Sequence, residues 1–294
     1  GVLSADGDTK RPLIFLSFAG VLNIGLNLLF VIVFKMSVAG VALASIISQY
    51  LSAGLIIVAL CRTKRPYRLN FRNFKLCRDK VKNVLILGVP AGLQNAIFAM
   101  ANLFIQAGVN SFEAVMVEGN SAAANADALI YNIMAAFYMA CTSFMAQNLG
   151  AGKKDKLLKC YFISLLYSFA ISAVMSVVLV FLGKPFLSLF TTEQEVVNAG
   201  MKRLYIMGFS YAVSAFMDCT IAASRGLGKT VIPTIIVIMG SCVFRIIWVY
   251  TVFAYFKTIP SLYLLYVFSW TITAIAEIIY FVVAYRKIMK KHFY

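Results

Sequence analysis

The chain alternates between long apolar runs and short polar breaks. Eight runs stand out: Pro12–Phe34, Ala39–Leu60, Val84–Val109, Ala122–Leu149, Leu157–Leu182, Met201–Ala223, Val231–Phe256 and Tyr263–Tyr285. Each is continuously apolar instead of alternating with period two, which predicts helices and not barrel strands. A hydrocarbon core of ~30 Å takes about 20 helical residues to cross, the length of these runs. The pattern predicts an all-α polytopic membrane protein with eight transmembrane helices. Composition agrees. Of the 294 residues 62% are hydrophobic and 13% charged, and the mean hydropathy is +0.86, too few charges to clothe a soluble domain of this size.

The formal net charge of +16 raises the question of nucleic acid, and its distribution answers it. Most Lys and Arg fall in one alternate set of loops. These hold Lys10 and Arg11, a dense run from Arg62 to Lys82, Lys153 to Lys159, Arg225 and Lys229, and Arg286 to Lys291. The other set holds Lys35, Lys184 and Lys257, with Lys202 and Arg203 at the predicted start of a span, and with Glu113, Glu118, Glu193 and Glu195. Positive loops stay inside, so both ends of this chain are expected in the cytoplasm of a cell (inner or plasma) membrane. The basic strip then lies beside anionic lipid, and no nucleic-acid partner is expected.

The chain also repeats itself. In "GVLSADGDTKRPL" the positions Gly7, Thr9 and Pro12 match Gly228, Thr230 and Pro233 of "AASRGLGKTVIPT", 221 residues on. Ser48 and Ala53 match Ser269 and Ala274 at the same offset, which aligns the hairpins Gly7–Leu60 and Gly228–Phe281 without a gap. Between them lies the long polar interruption "CRTKRPYRLNFRNFKLCRDKVKN", Cys61–Asn83, read as an amphipathic linker on the cytoplasmic surface. The expected organisation is two spans over 1–60, a basic linker over 61–83 and a six-span block over 84–294. The two spans copy the last pair of the six, so the front block is expected to be an incomplete copy. Duplicated helical blocks suggest a transporter whose halves rock about a central site.

Catalytic chemistry finds little footing. The six cysteines form no C-x-x-C pair, and four lie within spans as small apolar residues. The lone His292 is in the C-terminal tail, and "GLGKT" lacks the first glycine of a phosphate-binding loop. An enzyme, a cofactor or a metal site is not expected.

Ionisable groups deep in spans are costly and therefore candidates for function. Four lie more than a turn from a span end: Asp127, Asp218, Arg245 and Glu277. Asp127 begins a helical stripe with Tyr131, Tyr138 and Thr142, a carboxylate beside rings that suits an organic cation. An interhelical hydrogen-bonded pair is the alternative for it. Asp218 and Glu277 lie near predicted span ends, where they can snorkel, and either could partner the mid-span Arg245. In the third span Asn95, Asn102 and Gln106 share one polar face, with Gln94 beside it, and either glue helices or line a wet cavity.

In combination, "DGDTKRPLIFLSFAGVLNIGLNLLF", "SVAGVALASIISQ", "GVPAGLQNAIFAMANLFIQAGVNSF", "AAANADALIYNIMAAFYMACTSFMAQNLGAGK" and "ASRGLGKTVIP" resemble the multidrug and toxic compound extrusion family of drug/cation antiporters. The resemblance implies two six-span lobes, of which this chain would hold spans five to twelve, a fragment with an incomplete N-lobe. It implies export of small, cationic, amphipathic organic compounds by a monomer, driven by Na⁺ or H⁺. Substrate would meet Asn95, Asn102, Gln106, Asp127, Tyr131, Tyr138 and Asp218. Asn23 and Asn27, one turn apart, and Ser45 resemble positions that form a coupling-ion site with an acid on the first span. Some members place a glutamate where Phe98 stands here, which weakens the expectation of a second cation site in the C-lobe. A lipid-linked oligosaccharide flippase of the same superfamily wants more cations than Arg245 alone. A non-transporting membrane scaffold would bury its polar stripes in helix contacts and hold no cavity.

Overall fold

A computed structural model of the chain describes residues 1–73 and 75–293. Phe74 of the linker and the side chain of His292 lie outside the described residues. Among those described, eight helices are long and apolar enough to cross a membrane. In lipid the backbone must satisfy its own hydrogen bonds, and only helices do this one segment at a time. The chain is an all-α integral membrane protein that folds as two units, Gly1–Cys77 and Arg78–Tyr294.

The first unit is a hairpin of α1 (Lys10–Val33) and α2 (Ser37–Arg62). Lys35 makes the turn with a left-handed φ of 53°. Small residues every fourth position on α2, Gly40, Ala44, Ser48 and Ser52, form its buried stripe, letting the backbones approach as membrane helices require. Beyond Arg62 the linker is irregular apart from a short turn at Phe71–Asn73. Arg65 forms an ion pair with Asp6 at 2.9 Å, and the Nε of Arg68 donates to the carbonyl of Cys61 at 2.9 Å. The expected amphipathic linker is therefore shorter than 61–83. It ends where the next helix begins, because Arg78–Asn83 are already helical.

The second unit is a six-helix bundle: α3 (Arg78–Val109), α4 (Ala114–Gly150), α5 (Lys154–Leu187), α6 (Gln194–Gly226), α7 (Val231–Phe256) and α8 (Ile259–Lys290). α6 is its hub and packs on α4, α5 and α8. It is also the most buried of the six. Its small residues permit this. A Cβ added to Gly119 of α4 would lie 2.7 Å from the Gly200 nitrogen and 2.8 Å from the Val196 carbonyl on α6. Both α4 and α6 begin about two turns before the apolar runs that announced them. Polar residues such as Asn120 and Glu195 break the apolarity there but not the helix.

The repeat reappears in the backbone. Gly7 and Gly228 both take left-handed φ, at 86° and 74°, and Thr9 and Thr230 both precede the first helical residue. The left-handed lysines that end α1 and α7, Lys35 and Lys257, are however 222 residues apart and not 221. The second copy is one residue longer there. α1 carries one π segment, Leu29–Val33, whereas α7 carries two, Ile238–Val243 and Val249–Phe253. A π bulge is how a helix takes in an extra residue. The alignment thus slips by one residue at the end of α7 and is regained in the next helix, where the buried Gly40, Ala44, Ser48 and Ser52 are matched at 221 by the buried Ser261, Leu265, Ser269 and Thr273.

Candidate functional site

The second unit holds a half-open cavity of about 610 Å³. It occupies the half of the bundle nearer the α3–α4, α5–α6 and α7–α8 connections. The polar face foreseen on α3 is its wall: Asn95, Asn102 and Gln106 all line it. Gln106 donates to Asn110 at 2.9 Å. Gln94, one residue off that face, also acts as interhelical glue. Its side-chain oxygen accepts from Arg225 at 2.9 Å and from Thr234 at 3.3 Å. The scaffold expectation of polar stripes without a cavity is not met.

Asp127 faces the cavity from α4 but is already partnered. One carboxylate oxygen forms an ion pair with Nη2 of Arg203, and the other accepts from the hydroxyl of Tyr211, both on α6. Arg203 also donates from Nη1 to the carbonyl and side-chain oxygens of Asn120, where the Tyr263 hydroxyl donates as well at 2.7 Å. The Arg203 side chain is 8% exposed and that of Asp127 21%. Arg203 was unforeseen because α6 seemed to start at Met201, which put the arginine at a membrane edge. A fixed acid on a neighbouring span with no foreseen partner was the available signal.

The rest of the Asp127 stripe divides. Tyr131 lines the cavity, and Tyr138 donates to its hydroxyl at 2.9 Å, holding it from one turn outside. Thr142 faces α6 instead, where it donates to the Ala222 carbonyl at 3.0 Å.

Arg245 is 2% exposed and forms an ion pair with neither Asp218 nor Glu277 among the described residues. Its guanidinium carbon sits 4.6 Å from the ring centre of Tyr266, 5.5 Å from Phe98 and 5.6 Å from Trp270. Its Nε donates to Ser269 at 3.3 Å. The expected acidic partner is replaced by an aromatic cage, in which ring quadrupoles attract the cation. Phe98, at the position considered for a glutamate, is one of its walls. Asp218 lines the cavity half-buried and makes no hydrogen bond among the described residues. Glu277 does not snorkel. It is fully buried, with neither carboxylate oxygen hydrogen-bonded among the described residues. α8 continues to Lys290, so Glu277 lies more than three turns from its end.

In the first unit the Nδ2 of Asn27 donates to the side-chain oxygen of Asn23 at 3.0 Å. The Asn27 Oδ1 is buried and has no hydrogen-bond partner among the described residues. Ser45 is half-buried on α2. Among the described residues no group of three or more His, Cys, Asp or Glu could hold a metal ion.

Comparison with known proteins places this architecture. The chain is 30% identical over 211 residues to the probable multidrug resistance protein YpnP of Bacillus subtilis (strain 168), which covers 71% of this chain and 47% of that protein. It is 22% identical over 270 residues to the probable multidrug resistance protein NorM of Thermotoga maritima, covering 87% and 56%. The chain spans about half the length of these curated relatives. Among solved structures, an outward-facing conformation of a multidrug resistance MATE family transporter of the MOP superfamily superposes with a TM-score of 0.90 at 20% identity, over 98% of this chain and 65% of that one. The family model MatE matches residues 90–251, more than half of the chain and the part that builds most of the cavity. The chain belongs to the MatE family, the transporters of multidrug and toxic compound extrusion.

Proposed function

We propose that the chain is part of a secondary active antiporter that exports amphipathic organic compounds, cations among them, in exchange for Na⁺ or H⁺, and that it acts as a monomer with both ends in the cytoplasm. The observation that carries the reading is the 610 Å³ cavity, of the size that holds one drug-sized molecule. Amides on one wall and aromatic rings on the other give it both wet and apolar surface. With Asp127 engaged by Arg203, a substrate cation is assigned to Asp218, the cavity-lining carboxylate without an ion pair among the described residues. On the internal repeat, the first unit is the last pair of spans of a front lobe. Its Asn23, Asn27 and Ser45 are the proposed coupling-ion ligands, since the unpartnered Oδ1 of Asn27 is a hard oxygen donor.

Ala124→Trp, which fills the cavity from α4, tests the reading. In cells making the full-length protein, export of a lipophilic ammonium dye is expected to fall at least about tenfold at an unchanged level in the membrane. Export that persists at the wild-type rate would overturn it. Asn27→Leu is expected to remove the dependence of export on the ion gradient while leaving dye binding intact.

A further inference from the structure

Four charged side chains line the cavity: Asp127, Arg203, Asp218 and Arg245. The first two neutralise each other. Asp218 and Arg245 form no ion pair among the described residues. Arg245 is the more deeply buried, and its Nη2 is enclosed and without an acceptor among the described residues. The rings of Tyr266, Phe98 and Trp270 attract its charge, but its one hydrogen bond among the described residues runs from Nε to Ser269. A guanidinium carries five N–H donors in a planar fork. A purely structural arginine at this depth ordinarily takes an acid or backbone carbonyls as partners. The acid on α8, Glu277, has not been recruited: among the described residues neither of its oxygens has a hydrogen-bond partner, and it does not line the cavity.

We propose that Arg245 anchors an anionic group, a carboxylate or phosphate, carried by a flat aromatic molecule in this cavity. The proposal rests on the cavity being the substrate site. A planar two-oxygen acceptor matches the guanidinium fork. The three rings that cage the arginine also line the cavity, and so offer faces for an aromatic body beside the charge. Asp218 lines the same cavity and offers an amine a carboxylate, so molecules bearing both charges fit better than simple cations.

Binding calorimetry on the full-length protein in nanodiscs of zwitterionic lipid tests this with three probes that share one ring system: 1-naphthylacetate, 1-naphthyl phosphate and 1-naphthylmethylammonium. The anionic probes are expected to bind the wild type. Arg245→Met should weaken them at least about tenfold, with the ammonium probe bound as tightly as before or more tightly, since a positive charge has left the cavity. Arg245→Lys should retain part of the anion affinity, because the charge survives and the fork does not. Carboxylate binding without phosphate binding, or the reverse, names the anion and still supports the proposal. If only the ammonium probe binds the wild type, the anion subsite is wrong and the cavity reading stands. If no probe binds, both fail. Equal weakening of all three probes by Arg245→Met would make the arginine structural and overturn the proposal. Should that variant not fold, Phe98→Glu decides, since a carboxylate beside the guanidinium must abolish binding of the anionic probes.

Discussion

At the scale of single residues, the cavity is organised by which charges are already spent. Asp127 reads from the sequence either as a cation site or as half of an interhelical pair, and it closes a network with Arg203, Tyr211, Asn120 and Tyr263. Removing one member of a buried pair leaves the other uncompensated, at a cost of about 3–5 kcal/mol when both are fully enclosed. Asp127 keeps 21% of its side chain exposed, so the lower end applies. Asp127→Ala is expected to destabilise the protein by about 3 kcal/mol. The double variant Asp127→Ala with Arg203→Met should cost clearly less than the sum of the singles, measured by thermal unfolding in detergent. Additive losses would mean the two side chains are not coupled. That Asp127 could form an interhelical pair was legible in the sequence, but its partner was not. Spacing along one helix tells which residues share its face but not which neighbour meets that face, so the acid was visible and its arginine was not. The same holds for Arg245, whose cage draws Phe98 from α3 and Tyr266 and Trp270 from α8.

At the scale of elements the sequence was far more informative, because lipid enforces apolarity along every exposed turn. All eight spans were legible. What escaped were the polar first turns of α3, α4 and α6 and the π segments, which leave no signature in hydropathy. The π segments carry their own prediction. Met239 lies in the first of them on α7 and is largely exposed. Deleting it should convert Ile238–Val243 to regular α-helix and leave the helix on either side facing as before. Deleting Val213 from the regular α6 instead turns everything beyond it by about 100° and moves Asp218 off the cavity wall. The first deletion is expected to yield folded protein with a near-wild-type melting temperature, the second to abolish it. Equal damage from both would show that the bulge absorbs nothing.

At the scale of the whole molecule, the charge asymmetry of the loops becomes an orientation that chemistry can read. Cys77 is exposed at the end of the basic linker, while Cys141, Cys219 and Cys242 are buried within the bundle. A membrane-impermeant maleimide is expected to label Cys77 in inside-out vesicles and to spare it in intact cells. Labelling of Cys77 from outside would reverse the assignment. The buried three should stay unreactive in both preparations until detergent unfolds the bundle. The extra residue of α7 has a consequence on a longer timescale. When a hairpin is duplicated, its two descendants are ordinarily bound to one length, because a single inserted codon swings half a membrane helix from protein to lipid. A bulge that swallows the codon removes that bond, so one descendant can gain a residue, and with it a new arrangement around Arg245, without first losing its fold.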